Sequence, residues 1–255
     1  MTLITRRQQL FGLAAAISAL AVEVRPAFAA ATQVAVAANF TDPAREIAGL
    51  FRMATGHTAT LSFGSSGQFY TQISRGAPYE VFLSADPDRP TKAEQDGLGV
   101  PKSRFTYAIG RIVLYSKTHG LVDPSGQVLK TGNFQHLAIA DPDAAPYGAA
   151  SVQTMRKMGV YDQLRSKIVM GTSIAQTYQF VDTGSAELGF LALSQVINIK
   201  GGSRWVVPSS NHAPINQQAI LLYTGQANPA AKAFLDFLKT PAAIAVIRRY
   251  GYERP

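Results

Sequence analysis

Short apolar runs alternate with amphipathic stretches along most of this 255-residue chain, and that rhythm predicts an α/β fold built on a mainly parallel sheet. Two further features sharpen the expectation. Three strand-to-helix turns, Ala37-Ala38-Asn39-Phe40, Gly64-Ser65-Ser66-Gly67 and Ala145-Pro146-Tyr147-Gly148, carry no charged residue. No linker rich in Pro, Gly or charge divides the chain, as expected where two lobes are crossed on extended strands. The residues alone leave that as one arrangement among several.

The elements begin after a leader. Residues 1–9 carry Arg6 and Arg7, 10–22 are almost wholly apolar, and Ala27-Phe28-Ala29 has the small-x-small form of a cleavage site. An apolar run of about 13 residues falls short of the roughly 20 that span a bilayer, so 1–29 reads as a cleaved signal peptide. Thr5-Arg6-Arg7-Gln8-Gln9-Leu10-Phe11 resembles a twin-arginine export signal, with Gln9 where that signal has a bulky apolar residue. Twin-arginine and Sec export both stay open. Cleavage leaves 226 of the 255 residues, enough for one large domain or two lobes of about 100 each. The absence of cysteine excludes disulfides and thiolate metal sites, and none follows the leader to carry a lipid. A soluble periplasmic protein is expected.

The elements then follow in order. Residues 34–38 read as a buried strand. Thr41-Asp42-Pro43 starts a helix, with Pro43 suited to its first turn, and Ile47, Leu50, Phe51 and Ala54 recur at helical spacing until Gly56 stops it. Residues 58–63 alternate as a strand, 67–73 form a short helix ended by Gly76, and 81–84 form a strand before the Asp86-Pro87 turn. A long strand spans 107–115 and is interrupted by Gly110; another covers 137–140. Helices are expected at 149–158 and 175–183, and strands at 188–191, 205–207 and 219–223. Ala231, Phe234, Leu235 and Leu238 line one amphipathic helix, and 241–250 make the last. The crossings between lobes, if two lobes exist, fall at 107–115 and 214–223.

Function classes narrow by exclusion. The whole chain has 24 Lys+Arg against 16 Asp+Glu, and loss of the leader takes the formal charge from +8 to +6. The basic residues are scattered, without the aromatic-interleaved stripe of a nucleic-acid surface, so no nucleic-acid partner is expected. His57, His119, His136 and His212 lie far apart, and no direct metal-ion ligands are assigned. Neither a Gly-x-Ser-x-Gly elbow nor a phosphate-binding Gly-rich loop occurs, since Gly64-Ser65-Ser66-Gly67 is one residue too short for the former. No enzyme is expected.

What remains is the three turns. Each alone is explained by a helix cap. Together they offer free first-turn N–H groups, reinforced by helix dipoles, with no charge beside them. A fully deprotonated tetrahedral dianion presents only acceptors, so it suits a site of N–H and O–H donors. Phosphate, which keeps a proton near neutral pH, needs an acceptor as well. Fixed neutral donors also avoid the desolvation cost of a buried lysine or arginine.

At these residues the chain resembles the periplasmic molybdate-binding proteins of ABC importers, from about Val34 to Tyr252. Gly64-Ser65-Ser66-Gly67 with the segment Gly76-Ala77-Pro78-Tyr79-Glu80-Val81-Phe82-Leu83-Ser84-Ala85-Asp86 carries most of the likeness. Phe105-Thr106-Tyr107-Ala108-Ile109-Gly110 and Ala145-Pro146-Tyr147-Gly148 support it. The resemblance implies a two-lobed, type II-like periplasmic binding fold, with a mainly parallel sheet flanked by helices in each lobe and the ligand cleft between them. Lobe 1 would hold 30–111 and 222–255, and lobe 2 would hold 112–221. It implies a high-affinity receptor for molybdate or tungstate, without a cofactor, that acts as a monomer and delivers its anion to a membrane permease. Ala38 and Asn39 would make the first contact, Ser66 the second, Tyr147 the third through its N–H and by hypothesis its hydroxyl, and Ile174 another N–H. Ser65 would support Ser66. Two departures stand out: many members have Ser at the position of Asn39, and a ligand-contacting Tyr where Ala192 aligns. The rivals are a sulfate or phosphate receptor on the same fold, with Glu80 or Asp86 as the acidic residue phosphate would need, and a secreted hydrolase using Ser66.

Overall fold

The computed structural model describes residues 29–254 and contains two α/β lobes. The leader read at 1–29 lies, except for its last residue, outside the described residues.

Among the described residues, ten strands form two five-stranded sheets. The first sheet holds β1 (Ala31–Ala37), β2 (Thr58–Gly64), β3 (Val81–Leu83), β4 (Phe105–Gly110) and β10 (Ile215–Leu221), in the order β2-β1-β3-β10-β4. The second holds β5 (Ile112–Ser116), β6 (Leu137–Ala140), β7 (Ile168–Gly171), β8 (Leu188–Ala192) and β9 (Ser203–Val206), in the order β7-β6-β8-β5-β9. The two orders are the same pattern. In each sheet a single strand runs against the rest, β10 in the first and β5 in the second. Those two strands are the ones reached by crossing from the other lobe, so each lobe borrows its antiparallel strand after a crossover.

This topology corrects the lobe boundary. The strand expected at 219–223 begins at Ile215, and β10 pairs with β3 and β4 rather than with any strand of lobe 2. The return crossing therefore falls at 207–214, and lobe 2 ends there rather than at 221. The polar Asn216-Gln217-Gln218 hides the strand from a search for apolar runs. The outward crossing is where it was expected, but 107–115 is two strands in different sheets, joined at Arg111. β7 was not anticipated, because only its four residues separate two turns.

Apolar faces of both sheets are covered by helices. Val34, Val36, Phe51, Leu83 and Phe234 pack the first sheet against the helices Thr41–Thr55, Pro229–Phe237 and Pro241–Arg249. Ala35, Phe69, Ile73 and Phe82 pack its other face against Ser66–Ser74 and Asp88–Gln95. Leu114, Leu137, Ile139, Tyr147 and Met155 form the main core of lobe 2, and that cluster reaches Ala37, Ala38 and Ala85 of lobe 1. Burial of each large side chain contributes roughly 1.5–3 kcal/mol, so both lobes rest on ordinary cores. β1, β2, β6 and β7 all end at the junction, which is where open α/β sheets place ligands.

Candidate functional site

Four strand-to-helix connections meet between the lobes. From lobe 1, β1 runs into the short turn Ala38–Phe40, and β2 runs through Ser65 into the helix Ser66–Ser74. From lobe 2, β6 leads to the helix Pro146–Lys157, and β7 leads through Ser173 to the helix Ile174–Asp182. Their ends line one cavity, which includes Ala38, Asn39, Ser65, Ser66, Tyr147 and Ile174 together with Ala85 and Pro146. All six residues singled out in the sequence therefore come together. The cavity, about 10 Å³ by the water-centre measure, has room for about one water, so a sugar or nucleotide does not fit this closed arrangement.

Local chemistry fixes each wall. Ser65 is an N-cap with its Oγ accepting from Gln68 N at 3.3 Å, and Gln68 Oε1 accepts in turn from Ser65 N at 3.4 Å. That cap fixes Ser65 at the helix start, and Ser66 follows it on the cavity wall. Ser66 is 1% exposed, and its Oγ accepts from Ala85 N at 2.9 Å. That bond fills a lone pair and frees the hydroxyl proton to be donated elsewhere. Ser173 caps the helix that begins at Ile174, accepting from Gln176 N at 3.3 Å. Pro146 opens its helix at the first position and presents no N–H, so Tyr147 supplies the first donor there. Gly148 is required: a Cβ on it would lie 2.1 Å from the Ala140 carbonyl oxygen, because the helix start is pressed onto the end of β6.

The N–H groups of Ser66, Tyr147 and Ile174 are first-turn groups with no acceptor in their own helices. They point with the positive ends of their helix dipoles. No charged residue lines the cavity. Glu80 lies elsewhere, accepting from Asn228 Nδ2 and Gln33 N. Asp86 is paired with Arg89 at 2.6 Å, outside the lining. Neither acidic residue offers the acceptor that a protonated anion needs.

The lobes are held shut around this space. Gly67 N donates to Ala144 O at 3.0 Å, and Arg89 Nη2 donates to Asp143 O at 2.6 Å. On the other side a buried polar cluster crosses the junction. Asn39 Nδ2 donates to Gln217 Oε1 at 2.8 Å and to the Tyr252 hydroxyl at 3.0 Å. Gln217 Nε2 donates to the Tyr147 hydroxyl at 3.2 Å, and Ser194 Oγ donates to Asn39 O at 2.8 Å. The Tyr147 hydroxyl thus lies in this cluster, in the space that a Cβ on Gly110 would occupy, 2.3 Å away. Burial pushes the Tyr107 and Tyr147 phenols well above their ordinary pKa, and pushes Tyr252 up to about 12, so all three stay protonated.

Ala85, Ser194, Gln217 and Tyr252 were not anticipated. Gln217 had a signal: it shares strand parity with Ile215 and Ala219, so a polar side chain sits at an inward position. Ala192 is fully buried at the end of β8, outside the cavity lining.

Comparison with known proteins agrees with this architecture. Residues 32–253 match the family described as bacterial extracellular solute-binding protein. The chain is 58% identical to the molybdate-binding protein ModA of Rhodobacter capsulatus over 227 residues, covering 89% of this chain and 90% of that one. It is 54% identical to the ModA of Azotobacter vinelandii, covering 88% and 90%. Among solved structures, a periplasmic molybdate-binding protein of Azotobacter vinelandii superposes with a TM-score of 0.86 at 41% identity, covering 88% of this chain and 99% of that one. The sulfate-binding protein SubI of Mycobacterium tuberculosis shares the fold alone, with a TM-score of 0.72 at 12% identity.

Proposed function

The chain belongs to the bacterial extracellular solute-binding proteins, and we propose that it is a periplasmic receptor that closes on molybdate or tungstate and delivers the anion to the membrane permease of an ABC importer. The observation that carries this reading is a cavity between two lobes that no charged described residue lines, furnished with first-turn N–H groups from both lobes and a Ser66 hydroxyl that already accepts from Ala85 N and keeps its proton. Such a site stabilises a fully deprotonated dianion and has no carboxylate to receive the proton of a ligand that must donate one. It also has no base beside Ser66, whose one hydrogen bond among the described residues is to the Ala85 N–H, so the hydrolase reading lacks its first requirement.

The contacts proposed are the N–H groups at Ala38 and Asn39, the N–H and hydroxyl of Ser66, and the N–H groups of Tyr147 and Ile174. The anion is cargo, and no resident cofactor is needed. Binding draws both lobes together because neither holds the full donor set, and the ligand's preference for the closed form shifts the open–closed equilibrium. Sulfate presents the same acceptors, so discrimination against it rests on cavity size. The chain acts as a monomer without nucleic acid, exported through a leader of the twin-arginine or Sec kind.

Thermal unfolding of the oxyanion-free protein tests this with molybdate, tungstate, sulfate and phosphate added separately. A ligand present at about a thousand times its dissociation constant adds roughly 4 kcal/mol, so a true ligand raises the midpoint plainly. A rise with molybdate and tungstate only is expected. A rise with sulfate or phosphate instead overturns the specificity, and no rise with any of them overturns the site.

A further inference from the structure

We infer that Gln217 is a positioning residue that sets which end of its side-chain amide Asn39 presents to the anion. This rests on the reading of Asn39 as a ligand contact and goes one layer behind it, because Gln217 does not line the cavity.

The cluster has a hydrogen-bonding sense. With both Asn39 amide protons donated to Gln217 Oε1 and Tyr252, the remaining amide position is Oδ1. That oxygen makes no hydrogen bond among the described residues and is not enclosed, and Asn39 borders the cavity. An acceptor there opposes a dianion that has only acceptors. The same sense leaves a second mismatch: the Tyr147 hydroxyl receives bonds from Gln217 Nε2 at 3.2 Å and Asn39 Nδ2 at 3.5 Å, and Gln217 turns no acceptor toward its proton.

Turning both amides over exchanges nitrogen and oxygen in place and removes both mismatches, provided that Tyr252 moves its proton from Asn39 O at 2.7 Å to Asn39 Oδ1 at 3.0 Å and leaves Ser194 as the donor to Asn39 O. Gln217 Oε1 then accepts the Tyr147 proton over the same 3.2 Å. Gln217 Nε2 donates to Asn39 Oδ1 over 2.8 Å and to the Tyr107 oxygen over 3.0 Å, while Tyr107 donates to Ser84 O at 3.3 Å. Asn39 Nδ2 turns to the cavity as a donor. The amides must turn together, since Asn39 turned alone would set two carbonyl oxygens 2.8 Å apart. A residue that never touches the ligand thereby fixes whether the site takes a bare dianion or an anion that keeps a proton.

The test is calorimetric titration of molybdate into the wild type, Gln217→Met, Gln217→Glu, Asn39→Ala and the Asn39→Ala/Gln217→Met double variant, with thermal midpoints of the free proteins as a check on folding. Gln217→Met should weaken binding about tenfold in the wild-type background and less than about twofold in the Asn39→Ala background, because its effect passes through Asn39. Gln217→Glu, whose carboxylate still satisfies the surrounding donors, should bind weakly at about pH 8 and recover toward wild type near about pH 6, as its buried carboxyl gains a proton to donate to Asn39. Equal losses in both backgrounds, or a Gln217→Glu profile parallel to wild type, overturn the inference. Failure of the wild type itself to bind molybdate overturns the receptor reading instead, and this one with it.

Discussion

Replacing Ser66 with alanine separates ligand binding from stability at a single atom. The Ser66 hydroxyl is buried, accepts from Ala85 N at 2.9 Å and keeps its proton for the cavity. Alanine removes both interactions, and they are felt in different measurements. In the proposed site the lost donor bonds a charged ligand, a contact worth about 1.5–3 kcal/mol, so the dissociation constant for molybdate should rise about 10- to 150-fold. The orphaned Ala85 N–H costs about 1–3 kcal/mol in the free and bound protein alike, so it lowers stability without entering the affinity. The helix cap is untouched, because Ser65 holds Gln68. Calorimetric titration gives the first quantity and urea unfolding of the free protein gives the second. An affinity within about twofold of wild type, alongside reduced stability, would show that the hydroxyl bonds only Ala85 and would refute the donor assignment.

The neighbouring Ser65→Ala should show the opposite balance: about 0.5–2 kcal/mol of stability lost with the cap in urea unfolding, and a smaller loss of molybdate affinity than Ser66→Ala. Gly148→Ala forces the start of the helix Pro146–Lys157 off the end of β6 and should cost about 1–3 kcal/mol in the same unfolding assay, while weakening binding by displacing the Tyr147 N–H. Alkaline pH should attack the polar cluster. Burial raises the folded pKa of Tyr107, Tyr147 and Tyr252 above the unfolded value of about 10, so their stabilising contribution is whole below about pH 10 and is lost as pH climbs toward the folded values. Thermal midpoints recorded across that range should fall in step with buried-phenolate absorbance, whereas complete phenolate formation in a still-folded protein near about pH 10.5 would contradict the burial.

Legibility in the sequence followed the strength of each local signal. The turns at Ala38-Asn39, Ser65-Ser66 and Pro146-Tyr147-Gly148 could be read because capping and turn chemistry is written in residues next to one another. β10 was trimmed and assigned to the wrong lobe because its membership depends on pairing with β3 and β4, more than a hundred residues earlier. Tyr147 shows both cases within one side chain. Its N–H followed from its place in a first turn, while its hydroxyl goes to Gln217 across the junction, a contact that no local pattern encodes. Gly110, read as an interruption in a strand, is the gap that admits that hydroxyl.

The same division explains how a site without charge can control a two-lobed protein. Ser66 and Asn39 come from lobe 1, and Tyr147 and Ile174 come from lobe 2, so in the proposed site either lobe alone offers about half of the donors. Of the contacts that cross the junction, Gly67 to Ala144 and Arg89 to Asp143 are one backbone bond and one charge-to-carbonyl bond, with Arg89 already paired to Asp86, while Ser194 to Asn39 and Gln217 to Tyr147 are buried bonds on the other side. Each neutral bond contributes about 0.5–1.5 kcal/mol net and the charged one up to about 3, set against the ordering that closure requires. Moving such an equilibrium decisively takes about 5.5 kcal/mol of preference for the closed form. In the proposed site the Tyr147 and Ile174 N–H groups of lobe 2 bond the dianion, and at about 1.5–3 kcal/mol each they supply up to about 6 kcal/mol of that preference. A buried lysine or arginine would attract the anion from one lobe before closure and would weaken the dependence of binding on closing.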